Sequence, residues 1–268
     1  MARIRLLTIA AAAVAAGTVG GSYGARELLH RQAATARRLI GKPLGETPPD
    51  ADRLWKSAYG DPLDLLMLGD SIAAGLGAER RKDTLGGRLS KGLAKHTHRS
   101  VRLRTAAVVG SESSQLAGQL DGLPDGYAAD VAVIVVGGND VTHRVPVAEC
   151  AADLGHASAR LRAGGTEVVV GTCPDLGALR PVPQPLRSLG SRASRQLASA
   201  QADAATRAGA HVVSLARVVG PVFITHPEEM FSLDRFHPSA LGYRRTAAAL
   251  LPSLLTALGL LDEGALGA

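Results

Sequence analysis

Five short apolar runs, Leu63–Leu68, Val101–Val109, Val131–Val136, Glu167–Gly171 and His211–Leu215, follow one another along the chain, each pair separated by a segment able to hold a helix. Short, rich in Val or Leu and spaced in this way, they fit the strands of βαβ units in a parallel sheet covered by helices on both faces. Hydrophobic residues make up 46% of the sequence but aromatics only 3%, so the core must be built mainly from Ala, Val and Leu. Closely packed helices on a Val-rich sheet satisfy that demand, which favours an α/β fold over a β-sandwich. The expectation is a five-stranded, doubly wound parallel sheet. No shift in composition within residues 60–260 marks a second domain in the 268-residue chain.

The flanks are different in kind. Arg3 and Arg5 precede Leu6–Ala25, an uncharged, Ala-rich stretch just long enough to span a bilayer as a helix. Residues 1–25 are therefore read as an export signal or an N-terminal membrane anchor, placing the rest of the chain outside the cytoplasm, secreted or membrane-held. Ser22, Tyr23 and Gly24 offer a region of small residues for cleavage, whereas Arg26, Arg31, Arg37, Arg38 and Lys42 beyond it favour retention, so both readings stay open. A surface-lying amphipathic helix is the third reading. Residues 26–53 are polar and Arg-rich, then Pro-rich at Pro43, Pro48 and Pro49, as expected of a juxtamembrane helix running into a linker. The folded domain is expected over residues 54–262. Near its end, Pro238–Leu261 has helix-period apolar residues after an N-terminal Pro and Ser, predicting a closing helix that Pro252 interrupts or kinks.

A net charge of +6 raises the question of an anionic partner. The arginines are scattered, aromatics for base stacking are scarce, and no nucleic-acid-binding motif is present, so no nucleic-acid partner is expected. The two cysteines, Cys150 and Cys173, are too few for a disulfide scaffold and lack the companions of a zinc site. Cys173 ends a predicted strand and Cys150 opens a helix beyond the neighbouring one, so a Cys150–Cys173 disulfide and a pair of reduced, half-buried thiols are both compatible with the sequence.

The residues able to do chemistry sit where the predicted strands end. The first strand runs into Gly69-Asp70-Ser71-Ile72-Ala73, placing Ser71 on a Gly-flanked turn in the crevice where open α/β sheets bind ligands. The same residues make an ordinary turn and helix cap, and Asp70 and Asp140 are assigned to fixing turns. The G-x-S-x-G nucleophile elbow is excluded, because Ala73 stands at its second glycine position. In a sheet of order 2-1-3-4-5, Ser71, Gly110 after the second strand and Asn139 in Gly137-Gly138-Asn139-Asp140 after the third converge on one crevice. The backbone N–H groups of Ser71 and Gly110 and the side-chain amide of Asn139 then form a three-donor oxyanion hole. In Asp234-Arg235-Phe236-His237-Pro238, an Asp three residues before a His on one helical-type turn can accept from Nδ1–H and leave Nε2 aimed at a serine hydroxyl. Alternatively Asp234 merely caps that turn.

In conjunction and in this order, the four blocks resemble the SGNH or GDSL hydrolase superfamily over Leu63–Tyr243. The signature residues fall on Ser71 (in GDSI, with Ile72 for the eponymous Leu), Gly110, Asn139 and His237, with Asp234 at the triad-acid position. The block around Gly110 departs from the pattern in having Ala107 where many members carry Asn. The resemblance implies a flavodoxin-like three-layer α/β/α fold and ester or thioester hydrolysis needing no cofactor and no metal, with Ser71, His237 and Asp234 as the catalytic triad. The expected substrate is a small-molecule, lipid or glycan ester. An acyltransferase on the same site, passing the acyl group to a sugar or lipid, and a silent carbohydrate- or lipid-binding module are the alternatives. Pro174–Gln196, too proline-dense for a helix in its first half, and Thr142–Cys150 are expected to wall the pocket, and Arg144, Arg180 and Arg187 are candidates for meeting an anionic group on a substrate.

Overall fold

A computed structural model describes residues 24–41, 43 and 45–261. Six strands form one sheet: β1 (Arg53–Trp55), β2 (Pro62–Gly69), β3 (Ser100–Thr105), β4 (Val131–Val135), β5 (Glu167–Gly171) and β6 (His211–Val213), in the order β1-β3-β2-β4-β5-β6. The last five are parallel neighbours in the expected 2-1-3-4-5 order. The sixth strand is an addition: β1 pairs antiparallel with β3. It covers an edge whose unpaired groups would otherwise be open to another chain. Asp52 secures it by accepting the Thr105 N–H at 2.9 Å. Three residues are too few to carry a strand pattern of their own, so no periodic signal marks it.

Two strands stop two or more residues before their apolar runs do. After Thr105 the N–H groups of Ala106 and Ala107 both donate to Met67 O, a doubling that ends the regular ladder with β2. After Val213, Leu215 already opens a short helix, Leu215–Val218.

The strands are buried on both faces because alternate side chains enter different helical layers. Leu65, Met67, Val133 and Val169 pack against α1 (Leu85–Thr97) and α4 (Ala240–Ala257) through Leu89, Leu93, Leu250 and Leu254. Leu66, Leu68, Ile134 and Val170 pack on the other side against α2 (Val147–Ala163) and α3 (Leu186–Arg207) through Leu154, Leu161 and Ala205. This is the three-layer α/β/α arrangement. Every carboxyl end of the five parallel strands therefore faces the same edge.

The closing helix starts where Ser239 caps it, accepting the Leu241 and Gly242 N–H groups. It runs unbroken through Pro252, contrary to the expected interruption. The carbonyl that Pro252 leaves without a donor belongs to Ala248, an exposed residue. At the other terminus, residues 24–40 are helical. Gln32 ties that helix to the Pro-rich segment, its side chain donating to Gln184 O and accepting the Leu186 N–H. The stretch read as an export signal or anchor lies, except for residues 24 and 25, outside the described residues. Among the described residues no helix is long and apolar enough to cross a membrane.

Candidate active site

The turn that carries Ser71 begins with a close approach of two strand ends. Gly69 has φ +125°, and a Cβ there would stand 1.9 Å from the Val135 carbonyl oxygen, so only glycine fits. Asp70 caps the one-turn helix Ser71–Ala74 by accepting the Ile72 N–H at 2.9 Å. From α4, the buried Tyr243 hydroxyl donates to Leu76 O at 2.6 Å and pins the exit of the turn. The Ser71 side chain is thus held at the end of β2 by three elements.

His237 arrives from the opposite end of the sequence. Its Nε2 is 2.9 Å from Ser71 Oγ and its Nδ1 is 2.6 Å from Asp234 Oδ2. The segment is a turn rather than a helical piece, with Arg235 in the left-handed region at φ +58°. Asp234 makes both contacts that the sequence left open. Oδ1 caps the turn, accepting from the Phe236 and His237 N–H groups and the Ser232 hydroxyl, while Oδ2 faces the imidazole. Burial acts to raise the Asp234 pKa, but the hydrogen bonds from His237, Phe236 and Ser232 outweigh it and bring it down to about 2. An ionised carboxylate can only accept, so Nδ1 carries the proton, and in the neutral ring Nε2 accepts from the Ser71 hydroxyl.

Asp70 is the second carboxylate here. Burial pushes its pKa from the ordinary 3.8 up to about 6, against the lowering by its hydrogen bonds to the Ile72 and Gly138 backbone and by the nearby His237. Asp140, also buried, accepts the Ser113 N–H at 2.9 Å through Oδ1 and so fixes the neighbouring turn.

Asn139 stands at the end of β4, lining the same cavity as Ser71. Its Nδ2 donates to Ser111 O at 2.9 Å, which uses one of its two N–H donors. Gly110 is exposed at φ +85° and lies outside the lining of that cavity. The backbone N–H groups of Ser71 and Gly110 make no hydrogen bond to another described residue.

The cavity beside Ser71 is apolar. Ile72, Pro174, Leu176 and Leu179 form one wall, as expected of the Pro-rich loop, and Leu215 and Val219 belong to another. Thr142–Cys150 contributes nothing to the lining, and neither do Arg144, Arg180 or Arg187. Arg180 instead donates to Ile224 O at 3.0 Å, bracing one wall against the other. The wall that sequence reasoning missed is supplied by Phe223, Phe231 and Phe236, all three phenylalanines of the chain. Their crowding just ahead of His237, in a protein otherwise poor in aromatics, was the available signal.

Cys150 and Cys173 are free thiols, so the disulfide reading is not the one seen. They share an apolar cluster with Leu197 and Ala198, but each turns to its own backbone acceptor, Val145 O for Cys150 and Pro174 O for Cys173. Burial pushes the Cys150 thiol up to about 12 and that of Cys173 well above its usual range. Neither is a nucleophile at neutral pH. Among the described residues no group of three or more His, Cys, Asp or Glu side chains is placed to hold a metal ion.

Residues 67–245 match the model of the GDSL-like lipase/acylhydrolase family. The chain is 39% identical over 269 residues to the GDSL-like esterase Rv1075c of Mycobacterium tuberculosis, covering 96% of this chain and 85% of that one. Among solved structures, the lipase/acylhydrolase from Enterococcus faecalis superposes with a TM-score of 0.58 at 18% identity over 75% of this chain and 97% of its own. The psychrotrophic esterase EstA from Pseudoalteromonas sp. does so with a TM-score of 0.57 at 18% identity over 73% and 98%. At such identities these structures speak for the fold, while the family match and the mycobacterial relative speak for descent. The chain belongs to the GDSL-like lipase/acylhydrolase family and is a carboxylic ester hydrolase.

Proposed function

We propose that the protein hydrolyses esters of apolar acyl groups through an acyl-enzyme on Ser71, with His237 as general base and acid and Asp234 as its orienting carboxylate. The observation that carries this reading is the unbroken hydrogen-bond chain from Asp234 through His237 to Ser71 at the mouth of an apolar cavity. Nε2 removes the hydroxyl proton as Oγ attacks the ester carbonyl, and the imidazolium that forms is stabilised by the ionised Asp234. His237 then returns the proton to the leaving alcohol, and the same ring activates the water that releases the acid. The oxyanion is held by the Ser71 N–H and the second Asn139 N–H. On this reading the Gly110 N–H is the third donor, one residue ahead of the Ser111 carbonyl that orients Asn139. Each donor of this kind is worth about 3–4 kcal/mol of barrier. The Phe-rich walls favour an apolar acyl chain over an acetylated sugar or a phosphorylated headgroup.

Labelling with a fluorophosphonate tests the reading. The wild type takes up one equivalent at Ser71 and loses activity, and Ser71→Ala neither labels nor hydrolyses short-chain p-nitrophenyl esters while keeping its far-UV circular dichroism. Hydrolysis by a folded Ser71→Ala variant would overturn it.

The same proposal places the domain outside the cytoplasm. Arg3 and Arg5 ahead of the uncharged stretch Leu6–Ala25 support residues 1–25 as an export or anchoring segment. Fractionation of cells making the full chain should recover activity at the membrane or outside it, and deletion of residues 2–25 should leave that activity inside. Full-length enzyme in the cytoplasmic fraction would count against the assignment.

A further inference from the structure

Gly69 and Ser111, on two separate turns of the site, are joined by one buried side chain from outside it. Gln119, on the short helix Leu116–Asp121, is 7% exposed. Its Oε1 accepts the Gly69 N–H at 2.9 Å, and its Nε2 donates to Gly69 O at 2.8 Å and to Ser111 Oγ at 3.2 Å. The position explains the need. β3 leaves the ladder after Thr105, which pairs with Met67; beyond it the Val108 N–H still donates to Gly69 O at 3.1 Å, but the Gly69 N–H lies past the paired residues of β3. The Gln119 amide extends the pairing past the end of β3, accepting the Gly69 N–H and sharing Gly69 O with Val108, in the two-bond manner of a neighbouring peptide.

The consequence reaches both halves of the proposed machinery. Gly69 lies two residues ahead of Ser71, and Ser111 O is the acceptor that orients the Asn139 amide. Among the described residues Gln119 is therefore the single side chain bonded both to Gly69, ahead of Ser71, and to Ser111, whose carbonyl aims Asn139. We propose that Gln119 is a positioning residue that sets the Ser71 hydroxyl and the Asn139 donor in register with one another. This rests on the assignment of Ser71 as nucleophile and of Asn139 as an oxyanion donor. A displacement of about 1 Å between such groups is enough to cost roughly a hundredfold in rate.

Two variants test it. Gln119→Leu keeps the bulk and removes every hydrogen bond; its kcat for a p-nitrophenyl ester should fall about 10- to 100-fold, with KM within about threefold of wild type. Gln119→Glu restores acceptance from the Gly69 N–H, but donates to Gly69 O only when protonated. Burial raises a carboxyl pKa, so the kcat of Gln119→Glu relative to wild type should climb as pH is lowered from 8 to 5. A residue that merely filled space would give neither the split between kcat and KM nor that pH-dependent rescue. If Gln119→Leu does not fold, the pH profile of Gln119→Glu decides. Wild-type kcat in Gln119→Leu, a loss confined to KM, or a flat Gln119→Glu ratio would overturn the inference. Each is distinguishable from failure of the underlying reading, which would show as hydrolysis by Ser71→Ala.

Discussion

His237 Nε2 lies 2.9 Å from Ser71 Oγ although 166 positions separate the two residues in the chain. The contact is made by the sheet: β2 delivers Ser71 to the edge where the parallel strands end, and the turn ahead of α4 returns His237 to that edge. Asp234 sets the ring angle. Replacing it by Asn keeps the size but offers an amide that can present an N–H to Nδ1 and favour the wrong tautomer. Asp234→Asn should lower kcat about 10³-fold or more with little change in KM. Steady-state kinetics on p-nitrophenyl butyrate measures it, and a loss under tenfold would show that the carboxylate is dispensable for orientation.

On the proposed mechanism, Asn139→Ala removes one oxyanion donor. It should lower kcat on the order of a hundredfold or more and change KM far less, because the donor is used most fully in the transition state. An effect on KM alone would assign Asn139 to ground-state binding.

Asp70 makes stability depend on pH in a defined direction. Its folded pKa of about 6 lies above the ordinary 3.8, so the folded state holds the proton more tightly than the unfolded chain. The resulting stabilisation is fully present below about pH 4 and is lost as pH rises through 6, with an amplitude on the order of 3 kcal/mol. Asp70→Asn does not titrate. In urea unfolding, the stability of wild type minus that of Asp70→Asn should fall between pH 4 and pH 7, and a difference that stays level or grows over that range would contradict the raised pKa.

Phe223 and Phe231 meet edge to face, with ring centroids 5.1 Å apart, in the cavity wall. Truncating Phe223 to Ala should lengthen the space beside Ser71. The ratio of kcat/KM for p-nitrophenyl octanoate to that for butyrate should rise roughly tenfold, the scale of the gain when one or two methylenes become buried. An unchanged ratio would place the acyl chain elsewhere.

The strands and the chemistry-bearing residues were open to reading from the sequence because both are local properties. Buried parallel strands must be short, apolar and helix-spaced, so Leu63–Leu68 and Val131–Val136 announce themselves, and the order of the sheet then brings the end of β2 beside that of β4. Asp234 and His237 are three residues apart, close enough for one turn to join them. The strand β1 was not legible, since three residues carry no period and exist as a strand only because β3 offers an open edge. Of the cavity walls only the Pro-rich one was: Phe223 becomes a lining residue through the path of the chain after β6, and Thr142–Cys150, which follows a strand just as closely, turns away. Gln119 is the plainest case. Nothing in its neighbourhood in the sequence distinguishes it, and its part depends on β3 leaving the ladder at Thr105, two residues before Gly69 on β2, which only the packed sheet shows. By itself the sequence determined which side chains can do chemistry and at which strand ends they lie. The tertiary structure decided which of them touch, because a distance between remote residues depends on how every intervening layer packs.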